Sequence, residues 1–309
     1  MPKGRIAIFL SIFLLLFALA GVLRAETKVS TFEKRFPLTP GRPVTVDFKD
    51  TDGDVIFTSS DEAAVVLKVR KEINIRDGAR AQRLLDETEI EVSQRDNDIR
   101  IRVRYPRFRG FFFWMFDSRR VQVRSEVILP KDCRLFAAMS DGSITATKIT
   151  GDLSLRSSDG TIRVTGAEGR LNIHSSDGSV VLQDIKGDVD AEASDGDIEV
   201  SGVLTGLNIR TSDGNVTVRA EAGSRMTGGW DVWASDGDVE VALPSDFAAE
   251  VWLHTSDGDL DCGLPLTIQG KTSSNQIRGN LGSGNRLLNI RTSDGDISLR
   301  PLASPDREE

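Results

Sequence analysis

The tripeptide Ser-Asp-Gly occurs first at Ser140 and returns at Ser158, Ser176, Ser194, Ser212, Ser235, Ser256 and Ser293. The first four steps are 18 residues long and the next three are 23, 21 and 37. Ser274-Asn275-Gln276-Ile277 lies 18 residues after Ser256 and 19 before Ser293, and reads as a decayed copy that splits the longest step. A fixed period of this size confines the chain to a stack of small units, each resting on its neighbours.

Each unit carries two alternating apolar pairs. After Asp-Gly stand Ile144 and Ala146, Ile162 and Val164, Val180 and Leu182, and so on; before Ser-Asp-Gly stand Leu153 and Leu155, Leu171 and Ile173, Leu207 and Ile209. Period two means a strand with one buried face. Asp-Gly joins the pairs on one side, and a turn such as Ile149-Thr150-Gly151-Asp152 joins them on the other. Glycine there suits φ > 0, and aspartate can bond the backbone nearby. From Ser158 onward the residue before each Ser-Asp-Gly is always small (Ser157, Ser175, Ala193, Thr211, Ala234, Thr255, Thr292), as an inward corner requires. The fold class expected is mainly β: a β-solenoid of 18-residue coils with two short strands each, roughly nine coils in all, preceded by a small α+β N-terminal cap.

The cap is read over residues 26–135. Val44, Val46 and Phe48 lead to Thr51-Asp52-Gly53-Asp54-Val55, a diverged repeat 89 residues ahead of Ser140. Val65, Leu67 and Val69 read as a strand. Asp77 can cap a helix whose Ala81, Leu84, Leu85 and Thr88 share one face. Ile90 and Val92, then Ile99, Ile101 and Val103, flank Asp96-Asn97-Asp98 as a hairpin. Val121, Val123 and Val127 form another strand ending at Pro130. The repeat domain then runs over 136–300, and 301–309 reads as a disordered polar tail.

A basic start, an apolar run from Ile6 to Phe17 and the small residues Ala18-Leu19-Ala20 make residues 1–25 a signal peptide, cut after Ala20 or Ala25; an uncleaved anchor is the alternative. Cleavage after Ala25 removes Lys3, Arg5 and Arg24, taking the basic count from 39 to 36 against 47 acidic residues, a balance of −11. That charge argues against nucleic acid as a partner. Cys133 and Cys262 fall about six coils apart in chain order, roughly 30 Å at ~4.8 Å per coil, too far for a disulfide. Cys262 takes an inward repeat position and reads as a small core residue.

The Phe-x-Leu-x-Pro-Gly opening, the Leu-Leu-Asp helix leading into Ile-x-Val, and the tandem Asp-Gly-x-Ile-x-Val units resemble the bacterial putative-adhesin family of β-strand repeat proteins (domain of unknown function 4097) from about Phe32 to Leu299. The resemblance implies an exported, repeat-built, non-catalytic envelope protein, adhesin-like in its binding or scaffold role, located in the periplasm or at the cell surface. It transfers no catalytic residues and no cofactor.

Several constellations carry candidate chemistry. The column Asp141, Gly142, Asp159, Gly160, Asp177, Gly178, Asp195, Gly196, Asp213, Gly214, Asp236, Gly237, Asp257, Gly258, Asp294 and Gly295 could stack carboxylates for Ca²⁺, but it lacks the extra glycines of calcium-binding repeats and is read as structural turns, with no metal. His174 and His254 occupy one repeat position about four coils apart in chain order, so they share no metal or triad. A carbohydrate-active enzyme is the distant alternative, because a column of aspartates always offers some carboxylate pair. The run Phe108-Arg109-Gly110-Phe111-Phe112-Phe113-Trp114-Met115-Phe116 is either a plug over the first coil or a wedge for a membrane or partner. The wedge would make the protein a membrane-docked envelope-stress or assembly component. Finally, Trp233 and Trp252 point outward beside Asn208, Arg210, Asp231 and His254. On neighbouring coils their rings would stand roughly 7–8 Å apart at the base, a sugar-stacking platform for envelope polysaccharide unless the loops 220–229 and 244–249 cover them.

Overall fold

The computed structural model describes residues 26–75, 77–106, 121–269 and 273–302. The signal segment, the aromatic run 108–116 and the tail from 303 lie outside the described residues. Within them the chain is mainly β. The strands are β1 (Glu26–Pro37), β2 (Thr45–Lys49), β3 (Gly53–Ser60), β4 (Ala64–Ile75), β5 (Glu89–Arg95), β6 (Asp98–Arg104), β7 (Gln122–Pro130) and β8 (Arg134–Ala138). They continue as β9 (Ile144–Thr147), β10 (Thr150–Ser157), β11 (Ile162–Thr165), β12 (Glu168–Ser175), β13 (Val180–Glu192), β14 (Ile198–Thr211), β15 (Val216–Ala220) and β16 (Trp230–Ala234). The last are β17 (Val239–Leu243), β18 (Ala249–His254), β19 (Leu260–Cys262), β20 (Thr267–Ile268), β21 (Gln276–Leu281), β22 (Leu287–Arg291) and β23 (Ile297–Pro301). One helix, α1 (Gly78–Glu87), is present among the described residues.

The chain divides into two compact units. The smaller holds α1. Asp77 accepts from the N–H groups of Ala79 and Arg80, both at 3.0 Å, as its N-cap reading predicts. Ala81, Leu84 and Leu85 are buried, and so is Thr88, whose hydroxyl donates to the Leu84 carbonyl at 2.9 Å. The Lys71 ammonium donates to the carbonyls of Leu85 at 2.6 Å and Thr88 at 2.9 Å, a cation at a helix C-terminus. Burial lowers its pKa, and the Asp86 carboxylate opposes that shift.

The larger unit is built on two parallel ladders. In the first, β7, β3, β9, β11, β13, β14, β15, β17, β23 and β19 follow one another. In the second, β6, β2, β8, β10, β12, β13, β14, β16, β22 and β18 do so. The long strands β13 and β14 serve both ladders. Partners along β10 and β12 are 18 residues apart throughout, from Thr150 and Glu168 to Ser157 and Ser175. The alternating apolar rows are the core: Leu153, Leu155, Leu171, Ile173, Leu207 and Ile209 are all at most 3% exposed.

The order of coils departs from the order of the chain. The coil of β22 and β23 lies between that of β16 and β17 and that of β18 and β19. The decayed repeat at Ser274 is not a coil: β21 runs antiparallel along β18, and β20 pairs antiparallel with β21 in turn. Its Asn275 and Gln276 lack the Asp-Gly that the corners from Gly53 to Gly258 share. At the other end, β5 and β6 form the expected antiparallel hairpin. The strands β2, β3, β6 and β7, expected in a separate cap, are parallel members of the ladders. The diverged repeat at Gly53 is thus stacked directly on the coil of Gly142, although it lies 89 residues earlier in the chain.

The Ser-Asp-Gly corner explains the stack. Gly53, Gly142, Gly160, Gly178, Gly196, Gly214, Gly237, Gly295 and Gly258 form one column. A Cβ on Gly160 would meet the Gly142 carbonyl oxygen at 2.0 Å, and one on Gly178 would meet that of Gly160 at 2.2 Å. None of these glycines has positive φ, so close approach, not the left-handed conformation expected from sequence, demands them. Positive φ belongs to the opposite corner, where Gly151, Gly169 and Gly187 stand at +123°, +134° and +138° and are also crowded by the preceding carbonyl. The small row before Ser-Asp-Gly is buried, and its hydroxyls bond the crowded carbonyls: Ser157 to Gly142 at 3.2 Å, Thr211 to Gly196 at 3.2 Å, Thr255 to Gly295 at 2.9 Å and Thr292 to Gly237 at 2.9 Å. The Asp N–H groups donate to Ser carbonyls one coil away, as from Asp177 to Ser158 at 2.8 Å.

Replacing Gly178 with alanine must push two backbones apart. Gly178→Ala is expected to cost about 3 kcal/mol, whereas Gly228→Ala, with nothing within 4 Å of its Cβ, should stay within about 0.5 kcal/mol; urea denaturation of both variants checks the contrast. The two cysteines are free thiols. Cys133 is buried, and desolvation with the neighbouring Asp132 carboxylate raises its pKa to about 12. Cys262 lies in the terminal coil, half-buried and not in the packed core expected of it, and its pKa is raised chiefly by desolvation. A folded pKa above the unfolded one gives a contribution that is full below the unfolded thiol pKa and lost as pH climbs toward 12. Native protein at pH 8 should therefore alkylate at Cys262 before Cys133, and denatured protein at both equally, as mass spectrometry would show.

Candidate functional site

The outward face of the second ladder collects the tryptophans. Two rows run across the coils. One reads Asn172, Asp190, Asn208, Asp231, Asn289, Trp252; the other reads His174, Glu192, Arg210, Trp233, Arg291, His254. Trp233 and Trp252 are therefore not on neighbouring coils. The intervening β22 places Arg291 beside Trp233 and Asn289 beside Trp252. His174 and His254 are five steps apart rather than four, for the same reason.

The polar groups between the rings are cross-linked. Asp190 accepts from Asn208 Nδ2 at 2.7 Å and Asn172 Nδ2 at 3.3 Å. Asp231 Oδ1 accepts from Asn289 Nδ2 and from Arg291 Nη2 at 3.4 Å, and its Oδ2 lies 3.6 Å from Arg210 Nη2. Asp231 is thus held by two guanidinium groups and an amide. The Trp252 and His254 rings stack at 6.4 Å with 27° between planes, and His254 Nδ1 lies 3.1 Å from the Asn275 carbonyl. On the far side of Trp252, the antiparallel β21 supplies Arg278, whose guanidinium binds Glu250 at 2.6 Å.

Both outward tryptophans are half-buried. The loop 244–249, one of the two alternative covers, packs on the core. Phe247 packs on the core-facing Trp230 with ring centroids 5.0 Å apart, and Trp230 Nε1 donates to the Thr205 carbonyl at 3.2 Å. Among the described residues, five covered polar atoms on this face have no partner: Asn208 Oδ1, Asn289 Oδ1, Arg291 Nε, Trp252 Nε1 and Asn280 Oδ1. Asn289 is only 9% exposed. Such atoms cost free energy until something bonds them. Asn280, Arg278 and Glu250 were outside the site read from sequence, because nothing in the chain order signals that β21 folds back antiparallel. Asn289 and Arg291 stood in the repeat pattern, but their place between the tryptophans depends on the coil order.

The aspartates of the Ser-Asp-Gly column are exposed. Ser235 Oγ donates to Asp236 at 2.9 Å, the local bond expected of such a turn. The recurrent side-chain ladder sits two residues later, where Asp197, Asn215, Asp238 and Asp296 accept the backbone N–H of Asn215, Asp238, Asp296 and Asp259 at 2.8–3.0 Å. Among the described residues no group of three His, Cys, Asp or Glu side chains is placed to hold a metal ion, and no helix is long and apolar enough to cross a membrane. The residues Phe111, Phe112, Phe113, Trp114 and Phe116 fall outside the described chain.

Among solved structures, the chain is similar to a putative lipid binding protein from Parabacteroides distasonis, at 14% identity and TM-score 0.44, covering 90% of this chain and 98% of that one. It is also similar to a putative adhesin from Parabacteroides merdae, at 9% identity and TM-score 0.38, covering 89% and 97%. A third is a putative cell adhesion protein from Clostridium sporogenes, at 11% identity and TM-score 0.28, covering 89% and 100%. Among curated proteins none matches. The Toastrack DUF4097 family profile matches residues 41–300, and with this repeat and this ladder architecture the chain belongs to that family.

Proposed function

We propose that this protein is an exported, non-catalytic binding or scaffold module of the cell envelope that presents the outward face of β14, β16, β22 and β18 to polysaccharide. The observation that carries the reading is the concentration, on one face with two half-exposed indoles, of polar atoms that have no partner among the described residues. Asn208 Oδ1 and Asn289 Oδ1 are acceptors; Arg291 Nε and Trp252 Nε1 are donors. A saccharide hydroxyl both donates and accepts, so one ligand class serves both kinds. Its apolar ring face suits an indole, whose own apolar area gains nothing from water. The guanidinium groups of Arg210 and Arg291 are already committed to Asp231, which suits a neutral sugar better than an anion. The flat strand face suits an extended chain, and the residues that bond one another across it hold the rows in place.

A saccharide stacked on the indoles would change their environment and hence their fluorescence. Titration with neutral envelope glycans is expected to quench tryptophan emission. Trp233→Ala with Trp252→Ala should abolish binding in a calorimetric titration while the melting temperature stays within a few degrees. Retained binding would move the site elsewhere, and a large loss of stability would show that the rings serve the core.

A further inference from the structure

A second feature lies on the same ladder, at the end formed by β6, β2, β8 and β10. A groove of about 470 Å³ opens there, within the range of small-molecule sites. Phe136 projects into it and is 44% exposed, in a chain with few aromatic residues. Its neighbours across the ladder are Asp47 and Ser154, both short, so the ring has an open face. Two residues along β8, Ala138 stands between Lys49 on β2 and Arg156 on β10. Those two cations are two strand spacings apart, roughly 9–10 Å at the backbone. The methyl group of Ala138 leaves a notch between them that both long side chains can reach across.

The charges around this notch are unbalanced. Asp47 is occupied: Arg102 bonds its carboxylate, and also its carbonyl at 2.9 Å. Among the described residues Lys49, Arg100 and Arg156 make no ion pair; Arg156 Nη1 reaches only the Ser154 hydroxyl, at 3.5 Å. Asp98 is the one other carboxylate on the lining. Three cations against one acid is a local excess of positive charge on a chain whose net charge is −8. Such an excess favours an anion, through charge-assisted hydrogen bonds. The open ring asks for a flat apolar face beside that anion. The surrounding Thr45 and Ser154 offer hydroxyls to a polar ligand.

We propose that this groove binds an acidic saccharide: a uronate ring lies on Phe136, and its carboxylate sits over Ala138 between Lys49 and Arg156. The site is separate from the tryptophan face and differs from it in the charge of the sugar it takes. Trigalacturonate is the probe, titrated by calorimetry into the full chain, with its methyl ester, inorganic phosphate, and vesicles of anionic phospholipid as parallel arms.

Wild type is expected to bind trigalacturonate at least roughly tenfold more tightly than the ester, with affinity falling as salt rises. Lys49→Gln with Arg156→Gln should lose roughly tenfold or more in affinity together with the salt dependence. Ala138→Glu should lose binding by filling the notch with like charge. Phe136→Ser should weaken the trimer and leave phosphate unaffected. The Trp233 and Trp252 double variant should bind trigalacturonate as wild type does. All the altered side chains lie on the outward face, so melting temperatures should hold. The proposal is overturned if wild type does not bind the trimer, if the ester binds equally well, or if the Lys49 and Arg156 variant is unimpaired. Phosphate or vesicles binding as tightly as the trimer, with no effect of Phe136→Ser, would also overturn it, leaving a simple anion or lipid site.

Discussion

A glycine in van der Waals contact with the carbonyl of the glycine one coil away is the constraint on which the larger unit depends. A side chain as small as methyl cannot enter that corner: its carbon would fall 1.7–2.4 Å from the neighbouring oxygen along the column from Gly142 to Gly258. The corner therefore accepts one geometry, and each coil inherits its register from the coil beneath. The aspartate N–H bonded to the neighbouring serine carbonyl and the hydroxyls of Ser157, Thr211, Thr255 and Thr292 then satisfy backbone groups that would otherwise be buried without partners. At the opposite corner Gly151, Gly169 and Gly187 meet two demands at once, close approach and positive φ.

Fixed register makes the outer surface a lattice. A residue four places before the Ser-Asp-Gly of one coil stands beside its counterpart on the next, so side-chain ladders form without long-range design. Asn172, Asp190 and Asn208 are one such ladder, and Asp197, Asn215, Asp238, Asp296 and Asp259 are another. In the second, each carboxylate or amide accepts the next backbone N–H, which turns a row of like charges into a chain of hydrogen bonds. The same lattice lets the two ends of one ladder face differ. One end carries tryptophans with a neutralised aspartate between arginines; the other carries a lone phenylalanine with uncommitted cations. The binding proposals rest on that difference in charge, not on a difference in fold.

Much of this was legible because the repeat is local. Period-two apolar rows, the small corner residue, the Asp77 cap and the hairpin at Asp96-Asn97-Asp98 all depend on a few adjacent residues, and the structure places each where the pattern puts it. The glycine was recognised as essential but for the wrong reason, since contact with another coil cannot be read from a turn considered alone. The order of coils was not legible either. Nothing in Ser256 or Ser293 states that the later one stacks first on Ser235, and Gln276–Leu281 has the composition of a strand without a sign of its direction. Coil order decides which side chains flank Trp233 and Trp252.

Coil order is also where the account is most exposed to test. In a background with Cys133→Ala and Cys262→Ala, Glu240→Cys paired with Ser298→Cys places two thiols on directly opposed residues of β17 and β23. Glu240→Cys paired with Asp261→Cys places them on coils that follow in the chain but have Ser298 between them. Parallel partners about 4.8 Å apart can form a disulfide, and residues about twice as far apart cannot. Mild oxidation of the folded protein, followed by non-reducing mass analysis of the peptides, should join the two introduced thiols of the Glu240 and Ser298 variant and leave those of the Glu240 and Asp261 variant unjoined. The reverse pattern would mean that the coils stack in chain order, and the two rows described for the ligand face would be wrong.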